Sequence, residues 1–375
     1  MVGRAGPRRH RDAGGAPGGN GVTGAPERAG PDRAPTRTDA TAVVEAYLRC
    51  LDAADHPAAT RLALGLLDGG WTVADVLVDV VAAAQREIGL RWLAGRWSVA
   101  QEHAATHVSE QVVGAVGARI PPAPTRGHVL LACVEGEWHA LAARIVAEVV
   151  RADGWRVTFL GASVPGRHLV SYLHQAGPDT VLLSCVQPHR LIRAGRMIEA
   201  CRAAGVPVVA GGPGFGVDGR WAAAVGAAAW GGSARDATRL LDGSLPPATH
   251  AGRSPAPDAD EYLRVLRRRR DIVQAALAAV DPPEEDAEAL ANAVAHLVDA
   301  LAAAIRVGDP QLLLDHTTWQ REALPGSRND RGDVLATILA CCAEMLVEHP
   351  RSDRYLRAAR AAPGPRTGRA GLRPS

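Results

Sequence analysis

Apolar positions recur at helical spacing from Asp39 to about Gly117, with Val43, Val44, Tyr47, Leu48 and Leu51 on one helical face. Gly69-Gly70 ends a second helix, and Thr72 caps a third that begins near Val73. A fourth carries Glu102, His103, His107 and Val112-Val113. Four helices with short loops predict a four-helix bundle over 39–120, followed by a stiff linker, Pro121-Pro122-Ala123-Pro124. At His128 the period changes. Short apolar runs near 129–134, 155–160, 180–185, 207–210 and 227–230 alternate with helical stretches at 138–152, 167–175, 191–204 and 234–241. That alternation predicts an open, flavodoxin-like, doubly wound parallel sheet over 126–243, and burial on both faces explains the continuous apolar runs. Residues 243–257 read as a linker. Residues 258–361 are helical again, with breaks at Asp281-Pro282-Pro283, Gly308-Asp309-Pro310 and Pro325-Gly326. The fold class is α/β plus all-α: bundle cap, parallel sheet domain, C-terminal helical domain.

Composition adds the ends and the compartment. Residues 1–38 are Gly, Ala, Pro and Arg with few large apolar side chains, which predicts a disordered tail; 362–375 are similar. With 42 Lys+Arg against 40 Asp+Glu, the net charge of +2 argues against a chain that coats nucleic acid. The tail has no room for a helix-turn-helix module, so direct DNA binding is not expected. Six scattered cysteines without a CxxC pair fit a reducing compartment and exclude a zinc ribbon. No uninterrupted apolar run of about 20 residues is expected to span a bilayer, and the N-terminus lacks a signal-peptide core. The expectation is a cytoplasmic protein without membrane contact.

In an open α/β sheet, ligands bind beyond the carboxyl ends of the strands. The loop after the first strand reads Glu135-Gly136-Glu137-Trp138-His139, which places an acid two residues before a histidine at that edge. A neutral imidazole ligates a transition metal, and a carboxylate on its other nitrogen fixes its tautomer. Taken alone, a single histidine after a strand also reads as an exposed loop residue.

The wider pattern resembles the cobalamin-binding domains of methyltransferases, mutases and light sensors. Their motif runs acid, any residue, His, two residues, Gly; here it is Glu137, His139 and Ala142, so the last position departs by one methyl group. Ser184 and Val186 match the family's serine element on the third strand, Gly211-Gly212 its double glycine, and Gly161 its glycine after the second strand. The resemblance implies that His139 is the lower axial ligand to cobalt, and that Ser184, Gly211 and Gly212 leave room for the cofactor's nucleotide tail.

Upstream, Trp92 is followed nine residues later by Glu102-His103. Individually, Trp92 and Trp97 also read as bundle core and Glu102-His103 as a solvated helix face. Together the spacing resembles cobalamin photoreceptors, including light-responsive repressors. That resemblance implies adenosylcobalamin as the cofactor, with Trp92, Glu102 and His103 around its upper face. Leu93 stands where some relatives carry a second cobalt-ligating histidine. A corrinoid-carrying methyltransferase subunit and a non-photochemical cobalamin sensor share the layout and remain alternatives.

In the last region Leu312, His316, Trp319 and Ala323 recur at helical spacing and are expected on one inward face. A cobalamin sensor followed by a helical domain resembles the photocobilins. This implies biliverdin as a second chromophore near His316 and Trp319, with Arg306 or Arg321 on its propionates. Read without the resemblance, these are a buried histidine and a core tryptophan. The family reading implies a non-enzymatic light sensor, a homo-oligomer whose assembly responds to light, and an unidentified downstream protein partner.

Overall fold

The computed structural model describes residues 37–121, 123–246, 260–323 and 334–362. The N- and C-terminal tails, Pro122 of the proline linker, most of the linker after residue 243 and the Pro325-Gly326 break lie outside them.

The first layer is helical: α1 (Arg37–Asp52), α2 (His56–Asp68), α3 (Ala83–Leu93) and α4 (Val99–Gly117). α3 continues a π-helical stretch, Asp75–Ala82, whose Val76, Leu77, Val80 and Val81 are all buried. The segment starts where Thr72 and Asp75 cap one another, the Asp75 amide donating to Thr72 Oγ1 at 3.1 Å. α4 opens on a reciprocal capping box between Ser98 and Gln101. Tyr47, Ile88, Val112 and Val116 fill the core between these helices.

The sheet has five parallel strands, β1 (His128–Cys133), β2 (Arg156–Phe159), β3 (Thr180–Ser184), β4 (Val208–Gly211) and β5 (Ala229–Gly231), in the order β2-β1-β3-β4-β5. That order reverses between β1 and β3, so their carboxyl ends flank the topological switch point. Cys133 pairs with Ser184, and Ser184 with Gly211, placing three positions side by side at the carboxyl edge. Between the strands run α5 (Ala140–Ala152), α6 (Gly166–Ala176) and α7 (Leu191–Ala203), with α8 (Ala234–Asp242) after β5. α5 buries Leu141, Ile145 and Val149 in the same cluster as the bundle, so bundle and sheet share a core. Polar contacts fix the same junction. Arg235 of α8 reaches Asp79 at 2.7 and 2.8 Å and Asp75 at 2.7 Å, two acids one helical turn apart.

The third layer comprises α9 (Glu261–Val280), α10 (Glu284–Val307), α11 (Gln311–Ala323), α12 (Val334–Met345) and α13 (Pro350–Ala361). Pro350 starts α13, a break the hydrophobic pattern does not signal; the fully buried Glu261 receives its first amides, Ser352 N at 2.7 Å and Arg351 N at 3.3 Å. α10 packs on α9, α7 and the 3₁₀ turn Pro188–Arg190. Trp221 Nε1 donates to Asp309 Oδ2 at 2.8 Å, a further tie from the sheet domain to the α10–α11 turn. Among the described helices α10 alone is long and apolar enough, by length and mean hydropathy, to cross a membrane, although no uninterrupted apolar run of about 20 residues lies in it. It is the central helix of this layer: Val294, Leu297, Val298 and Leu301 are buried in the protein core.

Candidate functional site

The site grows from one buried carboxylate. Glu137 is 0% exposed, at the tip of the loop after β1. Its Oε1 accepts from the His139 ring Nδ1 at 2.5 Å and from the His139 amide at 3.1 Å. Its Oε2 accepts from the amides of Val186 at 2.9 Å and Gln187 at 3.2 Å, in the loop after β3. The Arg190 guanidinium lies 3.4 Å from Oε1. One carboxylate thus fastens together the two loops that flank the switch point. Burial alone would raise its pKa, but the hydrogen bonds from His139 and Val186 outweigh that and hold the carboxyl down at about 2. It is ionised at every physiological pH.

With Nδ1 committed to Glu137, the second nitrogen of His139 carries the lone pair. The His139 side chain is 56% exposed, so that nitrogen is accessible. The third loop of the edge supports the same turn: Ser163 Oγ accepts from the Gly136 amide at 3.0 Å and Ser163 N donates to the Glu137 carbonyl at 2.8 Å. Gly161, in the same loop, has φ +83° and open space where a Cβ would stand. Ala142 lies exposed on the first turn of α5, so its extra methyl meets no protein neighbour that buries it.

Beyond the edge, small residues keep a cleft open. Ser184 and Gly211 are half-buried partners at the strand ends, and a Cβ on Gly211 would meet only the Gly231 carbonyl, at 3.6 Å. Gly212 is obligatory: φ is +96°, and a Cβ would stand 2.5 Å from the Cys185 carbonyl oxygen. An exposed imidazole of fixed tautomer above a small-residue cleft fits a corrinoid. His139 would ligate the cobalt, and Ser184, Gly211 and Gly212 would admit the nucleotide tail.

The cap reaches the same edge. Along α4 and α5, Gly114 faces Arg144 and the Gly117 carbonyl accepts from Arg151 Nη2 at 2.7 Å, so the helices run in the same direction. Glu102 stands twelve residues before Gly114, whereas α5 starts four before Arg144. Counted the same way from Gly117 and Arg151 the difference is four residues rather than eight, so at 1.5 Å per residue the start of α4 overhangs the start of α5 by about 6–12 Å. Glu102 and His103 lie on that overhang, paired through His103 Nδ1 at 2.8 Å, with Thr106 Oγ1 on the other Glu102 oxygen at 2.9 Å. Trp92, half-buried, ends α3, whereas Trp97 is bundle core. Trp138, beside His139, is 72% exposed.

The C-terminal candidates are placed differently from one another. His316 is buried, but Trp319 is 40% exposed rather than inward-facing. The buried face of α11 is Leu312, Leu313, His316, Thr317 and Gln320, so Leu312 and His316 face inward as expected while Trp319 is turned to the margin, 6.0 Å ring to ring from His316. The side chain of Ala323 lies outside the described residues. Arg306 lies over the Tyr262 ring at 5.7 Å, and Arg321 donates to the Ala359 carbonyl at 3.3 Å. Sequence reasoning missed His189 and His296. Their rings stack at 4.0 Å and 13°, with His316 edge-on to His189 at 5.8 Å. Burial, then the neighbouring imidazoles and Arg190, push His189 down to about 2. Burial likewise lowers His296 to about 4, helped by Arg190, Arg269 and Arg193, and His316 to about 3. The cysteines are free, and Cys342, fully buried with its thiol raised to about 12, is no nucleophile.

Comparison with known proteins agrees with this geometry. Residues 127–241 match a family described as B12 binding domain, and residues 43–116 match a second family described in the same words. The chain carries B12-binding domains and is a cobalamin-binding protein. It is 35% identical over 154 residues to the HTH-type transcriptional repressor CarA of Myxococcus xanthus, covering 40% of this chain and 52% of that one. It is 28% identical over 126 residues to Trimethylamine corrinoid protein 2 of Methanosarcina acetivorans, covering 32% and 57%. The chain thus spans about half the length of these relatives. A solved monomethylamine corrinoid protein of Methanosarcina barkeri is 15% identical, with a TM-score of 0.48 over 54% of this chain and 97% of that one.

Proposed function

We propose that this chain is an adenosylcobalamin-binding light sensor and not an enzyme. What supports the reading is the overhang of Glu102 and His103 beyond the start of α5, next to the loop where Glu137 fixes His139, together with Trp92 in the last turn of α3 at the spacing shared with cobalamin photoreceptors. Bound adenosylcobalamin supplies a cobalt–carbon bond that visible light breaks. His139 holds the lower side, Glu137 sets its tautomer, and Trp92 with Glu102-His103 covers the upper side and selects the adenosyl form. Loss of the group that this cap packs against biases the shared bundle–sheet core toward a second arrangement. Assembly of copies of the chain, and contact with a downstream protein, follow that bias.

The test is the affinity ratio of adenosylcobalamin to hydroxocobalamin in the dark. Trp92→Ala should lower that ratio about tenfold, the loss of one aromatic packing contact. Illumination of loaded wild type should shift its elution in size-exclusion chromatography. Equal ratios in both proteins, with no shift in light, would favour the second reading, a corrinoid carrier for methyl transfer. Similarity to Trimethylamine corrinoid protein 2 favours that reading.

Biliverdin is proposed as a second chromophore in the helical layer, supported by the His316–Trp319 ring contact and by the resemblance to photocobilins. Full-length protein mixed with biliverdin should develop a red-shifted, ordered band that truncation after Ser244 weakens. A free-biliverdin spectrum in the intact chain would remove this proposal.

A further inference from the structure

The segment Gln187–Arg190 sits between the axial pair and the C-terminal helices. Its amide end is fastened to Glu137, which takes the Gln187 amide and that of Val186 before it. Of its own side chains, Arg190 adds an ion pair, its guanidinium 3.4 Å from Glu137 Oε1. Gln187 Oε1, His189 Nε2 and Arg190 Nε are buried without hydrogen-bond partners among the described residues. What meets the segment from the far side is a ring. His296 of α10 stacks on His189 at 4.0 Å with the planes 13° apart, and His316 of α11 closes the edge at 5.8 Å. A neutral imidazole stack can hold position without repulsion, and burial keeps all three rings neutral, helped at His189 and His296 by nearby arginines.

We infer that His296 is a positioning residue for the axial pair: its ring presses His189, and with it the segment Gln187–Arg190, against Glu137, which in turn orients the His139 ring. The C-terminal helices thereby set how firmly the axial imidazole is held, acting through this segment rather than on the imidazole itself. The inference rests on the cobalamin reading only in naming His139 as the ligand. The mechanical link from His296 to Glu137 can be measured without any cofactor.

The experiment uses the full chain and three substitutions. In cobalamin-free protein, amide hydrogen exchange is followed at Val186 and Gln187, the two donors to Glu137. His296→Ala and His296→Gln, which remove the stacked ring, should accelerate exchange there about tenfold, whereas His296→Phe, which keeps a ring, should stay within about twofold of wild type. Each protein is then loaded with cob(II)alamin, and the nitrogen splitting of its electron paramagnetic resonance spectrum reports the imidazole-ligated fraction. That fraction should fall by about half in His296→Ala and recover in His296→Phe. Wild-type exchange in the Ala and Gln variants, with helical content intact, would overturn the inference. So would accelerated exchange with an unchanged axial spectrum, or a Phe variant that behaves like Ala. A wild type that takes up no cobalamin would sink the cobalamin reading, and the exchange arm would still decide the positioning role.

Discussion

Glu137→Gln is expected to release cobalamin and to destabilise the protein, whereas His139→Ala releases cobalamin with a much smaller loss of stability, that of one donor to Glu137. The difference follows from what surrounds each group. The polar partners of the Glu137 side chain are all donors: the His139 ring and amide, the Val186 and Gln187 amides, and the Arg190 guanidinium. A carboxylate accepts on both oxygens; an amide accepts on one end and donates on the other. Whichever way the substituted amide turned, its NH₂ would face donors and leave buried N–H groups unpaired. Stranding them costs about 1–3 kcal/mol each, and the loss of the carboxylate leaves Arg190 without its counter-charge. Expected outcomes are a lower urea midpoint for Glu137→Gln and cobalamin retention weakened roughly 10–100-fold, as for other groups that orient a metal-bound histidine. The His139 ring is more than half exposed, so its removal deletes the ligand without opening a cavity. Paired urea titrations and cobalamin retention on gel filtration make the comparison. If Glu137→Gln melts and binds as wild type does, Glu137 is not the fastening between the loops.

The fold class was legible because parallel strands buried on both faces leave continuous apolar runs, and the bundle helices leave a clean 3.6-residue period. β1 to β5 and α5 to α8 fall within a few residues of where the pattern places them. The pair Glu137–His139 was legible as a local motif, two residues apart in one loop. What Glu137 does to Val186, Gln187 and Arg190 was not, since a contact across about 50 residues leaves no periodicity to read. Trp319 failed for a related reason. Leu312 and His316 are inside as the spacing of α11 predicts, but the buried face turns toward Leu313, Thr317 and Gln320, and only the placement of α10 against it decides that Trp319 lies at its margin. His189 and His296 carry no sequence signal at all: 107 residues separate two rings that meet only because α10 lies on the turn before α7. The start of α13 was missed because His349-Pro350 interrupts an otherwise helical composition with no glycine to mark it.

That histidine cluster governs the second large effect, loss of stability in mild acid. His189, His296 and His316 titrate near 6.5 in an unfolded chain, but burial lowers them to about 2, about 4 and about 3 in the folded protein. Below pH 6.5, therefore, the unfolded state binds protons that the folded state does not, and stability falls as pH falls. Each such proton contributes about 1.4 kcal/mol per pH unit, so three together approach about 4 kcal/mol per unit between pH 6 and pH 4. Over those two pH units the loss is at most about 8 kcal/mol, comparable to a typical total stability of about 5–15 kcal/mol, so mild acid is expected to weaken the fold substantially. Glu137 acts in the same direction but later. Its depressed carboxyl contributes stability present above about pH 4.5 and lost as pH falls toward 2. Asp299, raised by burial, works in the opposite sense, and only in the carboxylate range. The histidine contribution is isolated by His316→Leu. The ring it replaces is 4% exposed, with Nε2 unpartnered among the described residues, so an apolar side chain of similar volume is tolerated. Urea midpoints from pH 7.5 to 4.5 should fall more shallowly in His316→Leu, by the linkage of one proton, and the curves should converge toward neutral pH. Parallel curves across the whole range would show that His316 is protonated in the folded protein, and that the cluster is not what makes it sensitive to acid.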